Sequence, residues 1–204
     1  WDDLAIQQGP EALTAQLLNV KGYVKRSVNA QFLGDSDVRI RPGMNLVQSA
    51  KETGKSTWII EFLNKHPEAS ILVVSYRKNL IKQLAEKSEV DYYEDLIVRG
   101  NNPNEFLKRS NRLAISPDSL HKLLNKGVVA KQYDIVFIDE CEQDVLHFNA
   151  KTMKNKEINL GVLSWLLKHS TYQILADADL GDLTTSYLND IELHSGQLVI
   201  NEHK

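Results

Sequence analysis

A short polar segment, placed between an apolar run and a helical pattern, has the residue types that bind phosphate. The phosphate-loop pattern is Gly-x-x-x-x-Gly-Lys-Ser/Thr, and this segment departs from it only in having Ser49 as the first residue. Gly54 lets the backbone approach phosphate oxygens, and the N–H groups that follow form an anion site. We therefore expect nucleotide contacts from the whole loop: Ser49, Ala50, Lys51, Glu52, Thr53, Gly54, Lys55, Ser56 and Thr57.

Two side chains of this loop have distinct expected roles. Lys55 is predicted to reach the β- and γ-phosphates of ATP and to act in catalysis, and Ser56 to offer its hydroxyl to Mg²⁺. A Gly-Lys-Ser sequence that only begins a helix is the alternative. The predicted order of strand, loop and helix favours the phosphate loop.

Two carboxylates directly follow another apolar run. Asp139 stands at the predicted carboxyl end of the strand over residues 135–138, where it can hold Mg²⁺, and Glu140 can polarise the attacking water as a general base. An ordinary strand end with solvated acids is the alternative reading of this pair. The acidic pair and the phosphate loop together are far more specific than either is alone.

Short apolar runs alternate with helical patterns along the chain, which predicts a three-layer α/β fold with a mainly parallel sheet. Ligands of such folds bind at the carboxyl ends of strands. The predicted strands are residues 44–47, 71–74, 96–98, 113–115, 135–138, 173–175 and 197–200. The predicted helices are residues 55–65, 78–88, 103–110, 117–126, 157–169 and 183–190.

Composition narrows the class of protein. The chain has 204 residues, a net charge of −3 and one cysteine, Cys141, so it has no internal disulfide. We find no signal peptide and no apolar run of the roughly 20 residues that span a bilayer, and we expect a cytoplasmic protein without a membrane partner. We expect residues 1–40 to be a helical extension, with a helix from about Pro10, and residues 41–204 to be the nucleotide-binding domain.

Several segments, taken in order, resemble the motifs of superfamily 2 helicases. Residues 139–143 are similar to the Asp-Glu-x-x box, residues 73–80 to motif Ia, residues 113–121 to the segment that touches the nucleic-acid backbone, and residues 176–180 to motif III. The sequences SYR-x-x-L, DSLH-x-L, DE-x-EQ and ADADL resemble those of herpesvirus-type origin-binding helicases and of plasmid and phage (cyanobacterial plasmid-type) replication proteins. The likeness covers roughly residues 44–190.

The resemblance implies a first RecA-like domain that uses ATP to move along single-stranded or forked DNA during replication. It also implies a second RecA-like domain, which supplies an arginine finger. We expect this chain to be a fragment without that domain, and so to be inactive or weakly active alone. Primase and other replication proteins are further candidate partners.

The resemblance also suggests roles for residues outside the two main motifs. The candidates for nucleic-acid contact are Tyr76, Arg77, Ser116, Ser119 and His121. The candidates for coupling hydrolysis to movement are Gln143, Asp177 and Asp179. Gln31, beside Phe32, is a weaker candidate for contact with adenine. Helix capping by Ser116 and solvated loop acids remain as alternatives for these residues.

Two other functions remain open on the sequence. A nucleotide-binding switch or assembly module would use the same phosphate loop without unwinding DNA. A small-molecule kinase would also use it, although the acidic pair and the absence of an obvious lid segment argue against this class.

Overall fold

The computed structural model describes residues 22–34, 36–98, 103–150 and 152–203. The helix predicted from about Pro10 lies outside the described residues. In chain order, the strands are β1 (Tyr23–Val28), β2 (Gly43–Ser49), β3 (Ile71–Val74), β4 (Asp91–Tyr92), β5 (Arg112–Ile115), β6 (Leu124–Asn125), β7 (Val128–Val129), β8 (Ile135–Asp139), β9 (Tyr172–Asp177) and β10 (Gly196–Asn201).

Eight of these strands form one parallel sheet in the order β1-β10-β2-β9-β8-β3-β5-β4. Strands β6 and β7 form a separate antiparallel pair. The α-helices are α1 (Lys55–Asn64), α2 (Lys78–Lys87), α3 (Tyr93–Val98), α4 (Pro103–Arg109), α5 (Cys141–His147), α6 (Lys156–His169) and α7 (Asp182–Asp190), and a 3-10 helix spans Pro117–Leu123. The predicted α/β class with a mainly parallel sheet is confirmed.

The core follows from strands that are buried on both faces. All residues of β3 and β8 are buried, as a parallel sheet covered by helices requires. Helix α1 contributes Trp58 and Leu63, and α6 contributes Leu166. No helix in the described part of the chain is long and apolar enough to cross a bilayer.

Buried amides also join strands at the amino end of the sheet. Gln197 donates hydrogen bonds from its side chain to the Arg39 carbonyl and to Asn45 Oδ1, both at 2.6 Å. Asn45 donates in turn to the Gln173 carbonyl at 3.1 Å. These bonds satisfy polar groups that burial would otherwise penalise.

Three segments differ from the sequence prediction. Residues 96–98, predicted as a strand, are the end of α3, so that prediction is wrong. Acidic residues in the first turn favour the helix, and β4 takes the edge position in the sheet. The helix predicted over 117–126 is a 3-10 helix that stops at Leu123 and leads into β6. Residues 23–28, which we assigned to the extension, form β1 and pair with β10.

Candidate active site

The sheet brings the predicted motifs to one edge. In the register of β2 and β9, Gln48 lies opposite Asp177, and in that of β8 and β9, Asp139 lies opposite Ala176. The loops that follow these strands therefore surround one cavity of about 800 Å³. The predicted site residues that line it are Lys51, Glu52, Gly54, Lys55, Ser56, Thr57, Tyr76, Arg77, Asp139, Glu140, Gln143, Asp177 and Asp179.

The phosphate loop, residues 49–57, turns sharply at Gly54. This residue has a φ of 78°, a left-handed conformation that glycine adopts without strain. Its carbonyl accepts the first helical hydrogen bond of α1, from the Trp58 N–H at 2.8 Å. A Cβ at position 54 would meet its nearest neighbour, in Phe32, at an ordinary 3.6 Å. The backbone angle, and not a lack of space, therefore favours glycine here.

Three residues of the loop lie away from the cavity. Ser49 and Thr53 are buried beneath it, and their hydroxyl oxygens lie 2.6 Å apart. Ala50 is exposed, and its carbonyl accepts a hydrogen bond from the Thr53 hydroxyl at 2.7 Å. The sequence predicted nucleotide contacts for all three, whereas the structure gives the two hydroxyls partners inside the protein.

Lys55 lies across the loop with its amine directed to backbone carbonyls. The ammonium donates hydrogen bonds to the carbonyl of Ser49 and, at 2.8 Å, to that of Ala50. Burial lowers the pKa of Lys55, while the nearby carboxylates, with Asp139 foremost, act in the opposite direction. The Lys55 amine is thus a partly desolvated cation in the field of several carboxylates: Asp139, Asp177, Glu140 and Asp179.

Asp139 is the most buried carboxylate that lines the cavity. It is 3% exposed, and burial raises its pKa to about 6, with Glu140 and Asp177 adding to the effect and Lys55 opposing it. A desolvated carboxylate that lines the same cavity as Ser56 suits a hard cation with oxygen ligands. Among the described residues, no group of three or more His, Cys, Asp or Glu could hold a metal ion. A Mg²⁺ ion here would therefore need phosphate or water oxygens as further ligands.

We expect the Asp139→Asn variant to be more stable than the wild type at pH 8. The Asp139 carboxyl binds its proton more tightly in the folded state than in the unfolded state. Its contribution to stability is therefore present below its usual pKa and is lost as the pH rises through about 6. The shift in the pKa of Asp139 corresponds to as much as about 3 kcal/mol. We therefore expect the variant to gain about 1–3 kcal/mol in its free energy of unfolding at pH 8. Urea unfolding at pH 4 and pH 8 measures it.

The exposed Asp190 provides a control for that comparison. Its Asn variant should unfold like the wild type at both pH values. If Asp139→Asn changed the free energy of unfolding equally at pH 4 and pH 8, burial of the carboxylate would not be the cause.

Glu140 stands at the turn between β8 and α5. Its φ of 56° is left-handed, a conformation that costs energy in a residue other than glycine and is concentrated at functional sites. The carboxylate forms an ion pair with Arg77 at 2.7 Å. The half-exposed Arg77 follows β3. This ion pair therefore connects Glu140 to the segment predicted to contact nucleic acid.

Asp144 makes a second connection between the same two segments. It is buried, and its Oδ1 accepts a hydrogen bond from the Tyr76 N–H at 2.7 Å, while its Oδ2 has no partner. Burial raises the pKa of Asp144 well above its usual value. No local pattern in the sequence marks Asp144, because its partner lies 68 positions away along the chain.

Glu142 is a further residue that sequence reasoning missed. Its carboxylate accepts hydrogen bonds from the N–H groups of Gly181, Leu183 and Thr184 at 3.0–3.2 Å, and from the Thr184 hydroxyl at 2.6 Å. It therefore caps the first turn of α7, which has no side-chain cap of its own. A Cβ on Gly181 would lie 2.4 Å from Glu142 Oε1, so a larger residue here would force the carboxylate to shift away from the turn that it caps.

The three predicted coupling residues meet at this cap. Asp177 accepts hydrogen bonds from the N–H groups of Glu142 at 2.9 Å and of Asp179 at 3.0 Å. Gln143 and Asp179 are exposed and line the cavity. The start of α5, the loop after β9 and the start of α7 are thus joined by hydrogen bonds.

The predicted nucleic-acid contacts fall in two places. Tyr76 and Arg77 line the cavity. Ser116 and Ser119 do not line it and are buried, with the Ser116 hydroxyl 3.2 Å from that of Tyr93. His121 is held by Asn159 Oδ1, which accepts from its N–H at 2.7 Å.

The residue predicted to contact adenine, Gln31, lies outside the cavity, whereas its neighbour Phe32 lines it. Gln31 is exposed and does not line the cavity. Phe32 does line it, with 66% of its surface exposed at the opening. Phe32 is therefore the residue of this segment that a ligand in the cavity could touch.

Comparisons with known proteins show which family the chain belongs to and which solved structures share its fold. Residues 16–191 match the family described as origin of replication binding protein. The chain belongs to this family. The replication origin-binding protein of human herpesvirus 6B is 30% identical over 143 residues, covering 69% of this chain and 17% of that protein. The putative replication origin-binding protein of Acanthamoeba polyphaga mimivirus is 31% identical over 150 residues, covering 66% and 18%.

This member of the origin-binding family thus spans less than a fifth of the length of those two relatives. Solved structures show the same fold. A hypothetical ATP-dependent RNA helicase from Sulfolobus tokodaii aligns with a TM-score of 0.60 and 14% identity, over 92% of this chain and 56% of that chain. The Hef helicase domain of Pyrococcus furiosus aligns with a TM-score of 0.51 and 12% identity, over 80% and 35%. The chain thus has the RecA-like fold that these two helicase structures contain.

Proposed function

We propose that this chain is the ATP-binding motor domain of a DNA helicase that acts in replication and hydrolyses ATP to move along DNA. One observation carries the proposal: Lys55, Ser56, Asp139 and Glu140 line a single cavity at the carboxyl edge of the sheet. A partly desolvated cation beside a buried carboxylate and a hydroxyl is the environment that phosphoryl transfer requires. The names of the herpesvirus and mimivirus relatives support the link to replication origins.

The residues of the cavity divide the chemistry among them. Lys55 neutralises charge that develops on the phosphate oxygens, and it exchanges its carbonyl partners for them. Ser56 and Asp139 are the residues that would hold Mg²⁺, which supplies further positive charge when bound. Glu140 orients the attacking water and accepts its proton.

Two further surfaces complete the proposed motor. Arg77 carries positive charge at the cavity, where the DNA backbone can reach it; such contacts position the strand without reading its sequence. A second RecA-like domain in the parent protein would close on the cavity and supply an arginine finger. Primase and other replication proteins are candidate partners of that longer protein.

The first test measures binding of Mg-ATP to the wild type and to Phe32→Ala by calorimetry. Phe32 lines the cavity and offers a free ring face for a base, and stacking of this kind contributes about 1–3 kcal/mol. We expect the variant to lose affinity about tenfold. The matched control is Phe106→Ala, because Phe106 is 47% exposed and does not line the cavity.

Failure of the wild type to bind Mg-ATP would overturn the proposed function. Measurements with DNA distinguish the motor from the alternative, a switch or assembly module. A motor shows hydrolysis that single strands stimulate and DNA affinity that falls with salt, whereas a switch shows neither.

A further inference from the structure

Asn201 lies at the carboxyl end of β10, directly opposite Ser49 in the register with β2. Its side chain is buried and makes four hydrogen bonds. The amide nitrogen donates to the Ser49 hydroxyl at 3.0 Å and to the Ala30 carbonyl at 2.8 Å, while Oδ1 accepts from the N–H groups of Ala30 at 2.9 Å and of His203 at 3.3 Å. Both amide protons are therefore used within the protein.

The direction of the bonds beneath the phosphate loop follows from counting protons. The Thr53 hydroxyl has one proton, which it donates to the Ala50 carbonyl at 2.7 Å. In the 2.6 Å contact between Ser49 and Thr53, the donor is therefore Ser49. Because Ser49 has given away its proton, its oxygen is free to accept from Asn201. The bonds run in one direction, from Asn201 through Ser49 and Thr53 to the Ala50 carbonyl.

A second set of bonds reaches the segment that carries Phe32, which lies against Gly54 of the phosphate loop. Asn201 holds the backbone of Ala30 through both its carbonyl and its N–H group. Three residues later, the Leu33 N–H donates to the Thr53 carbonyl at 2.9 Å. Phe32 lies between these two fixed points, so the same amide restrains the segment that carries the exposed ring.

We propose that Asn201 is a positioning residue for the nucleotide, which holds the phosphate loop through the Ser49 hydroxyl and the Phe32 segment through the Ala30 backbone. This inference rests on the proposed function. It also explains why serine stands where the phosphate-loop pattern has glycine, since glycine would leave an N–H group of Asn201 without its acceptor. Asn201 lies beyond the residues matched by the family, which end at 191.

The experiment compares the affinities of the chain for Mg-ATP and for Mg-tripolyphosphate, which has no base. We expect Ser49→Ala to lose affinity for both about tenfold, because it frees the phosphate loop alone. Asn201→Ala should lose affinity for tripolyphosphate about tenfold. Its affinity for ATP should fall by a further factor of about three, because this variant also frees the Phe32 segment. Combining the two changes should weaken tripolyphosphate binding no further than either does alone.

Gln197→Ala is the matched control. It removes another buried amide of β10, bonded toward Asn45 of β2 at the opposite end of the strand. We expect a similar loss of stability in urea and unchanged affinity for both ligands. A purely structural role for Asn201 predicts the same behaviour for the two amides.

The outcomes separate cleanly. If Asn201→Ala bound both ligands like the wild type, or if Gln197→Ala lost as much affinity, the inference would be wrong while the proposed function stood. A wild type that does not bind ATP would remove the proposed function itself. If Asn201→Ala did not fold, the inference would be tested by comparing the affinities of Ser49→Ala and Gln197→Ala for the two ligands. Only Ser49→Ala should lose affinity.

Discussion

The Lys55→Ala variant is expected to bind Mg-ATP at least about a hundredfold more weakly than the wild type. Hydrogen bonds to charged groups contribute about 1.5–3 kcal/mol each, and this amine would contact two phosphate groups in a partly desolvated cavity. Within the described part of the chain, the Lys55 amine bonds to the carbonyls of Ser49 and Ala50, and its loss returns these carbonyls to solvent or to neighbouring donors. Calorimetry with Mg-ATP measures the effect.

The free energy of unfolding should change little in the same variant. Burial lowers the pKa of Lys55 although nearby carboxylates oppose the effect, so the folded state favours the charged amine less than water does and its removal should cost little stability. Lys82→Ala, in an exposed lysine of α2, is the control and should bind Mg-ATP normally. Equal affinity of Lys55→Ala and the wild type would remove the assignment of residues 49–57 as a phosphate loop.

The Glu140→Gln variant is expected to separate binding from turnover. An amide keeps the size of the side chain but cannot accept a proton from water, and loss of a general base costs about 10²–10⁴ in rate. Binding of Mg-ATP should stay within about threefold of the wild type. Single-turnover hydrolysis is best measured in a longer chain that carries the proposed second motor domain, with single-stranded DNA present.

Loss of the ion pair with Arg77 should not obscure this result. Exposed ion pairs contribute about 0–1 kcal/mol, and a glutamine oxygen can still accept from Arg77. Glu157→Gln, an exposed position on α6, is the control. Hydrolysis at the wild-type rate in Glu140→Gln would assign the general base to another group.

Local patterns in the sequence were sufficient for the fold class and for the two central motifs. Buried parallel strands are continuous apolar runs, so β3, β5 and β8 could be located from composition alone. The apolar run at 96–98 was misassigned because three apolar residues fit either a strand or the last turn of a helix. Length and periodicity do not separate these cases in so short a segment.

Other features of the site depend on contacts that are distant in sequence. Glu142 contacts residues about 40 positions away, and Asn201 reaches Ser49 across 152 positions. Nothing in the neighbourhood of either residue marks it as a partner. Ser116 and Ser119 show the opposite case, because their sequence resembles a nucleic-acid contact while their side chains are buried.

The cap that Glu142 places on α7 has a mechanical consequence. Because hydrogen bonds join its first turn to Glu142, we expect a rotation at Glu142 to move α7 with it. With nine residues, α7 is about 13 Å long, and a tilt at its first turn is amplified as displacement at Asp190. A fluorescent label on the exposed Asp190 position would therefore report events in the cavity from a distance, without touching the residues that line it.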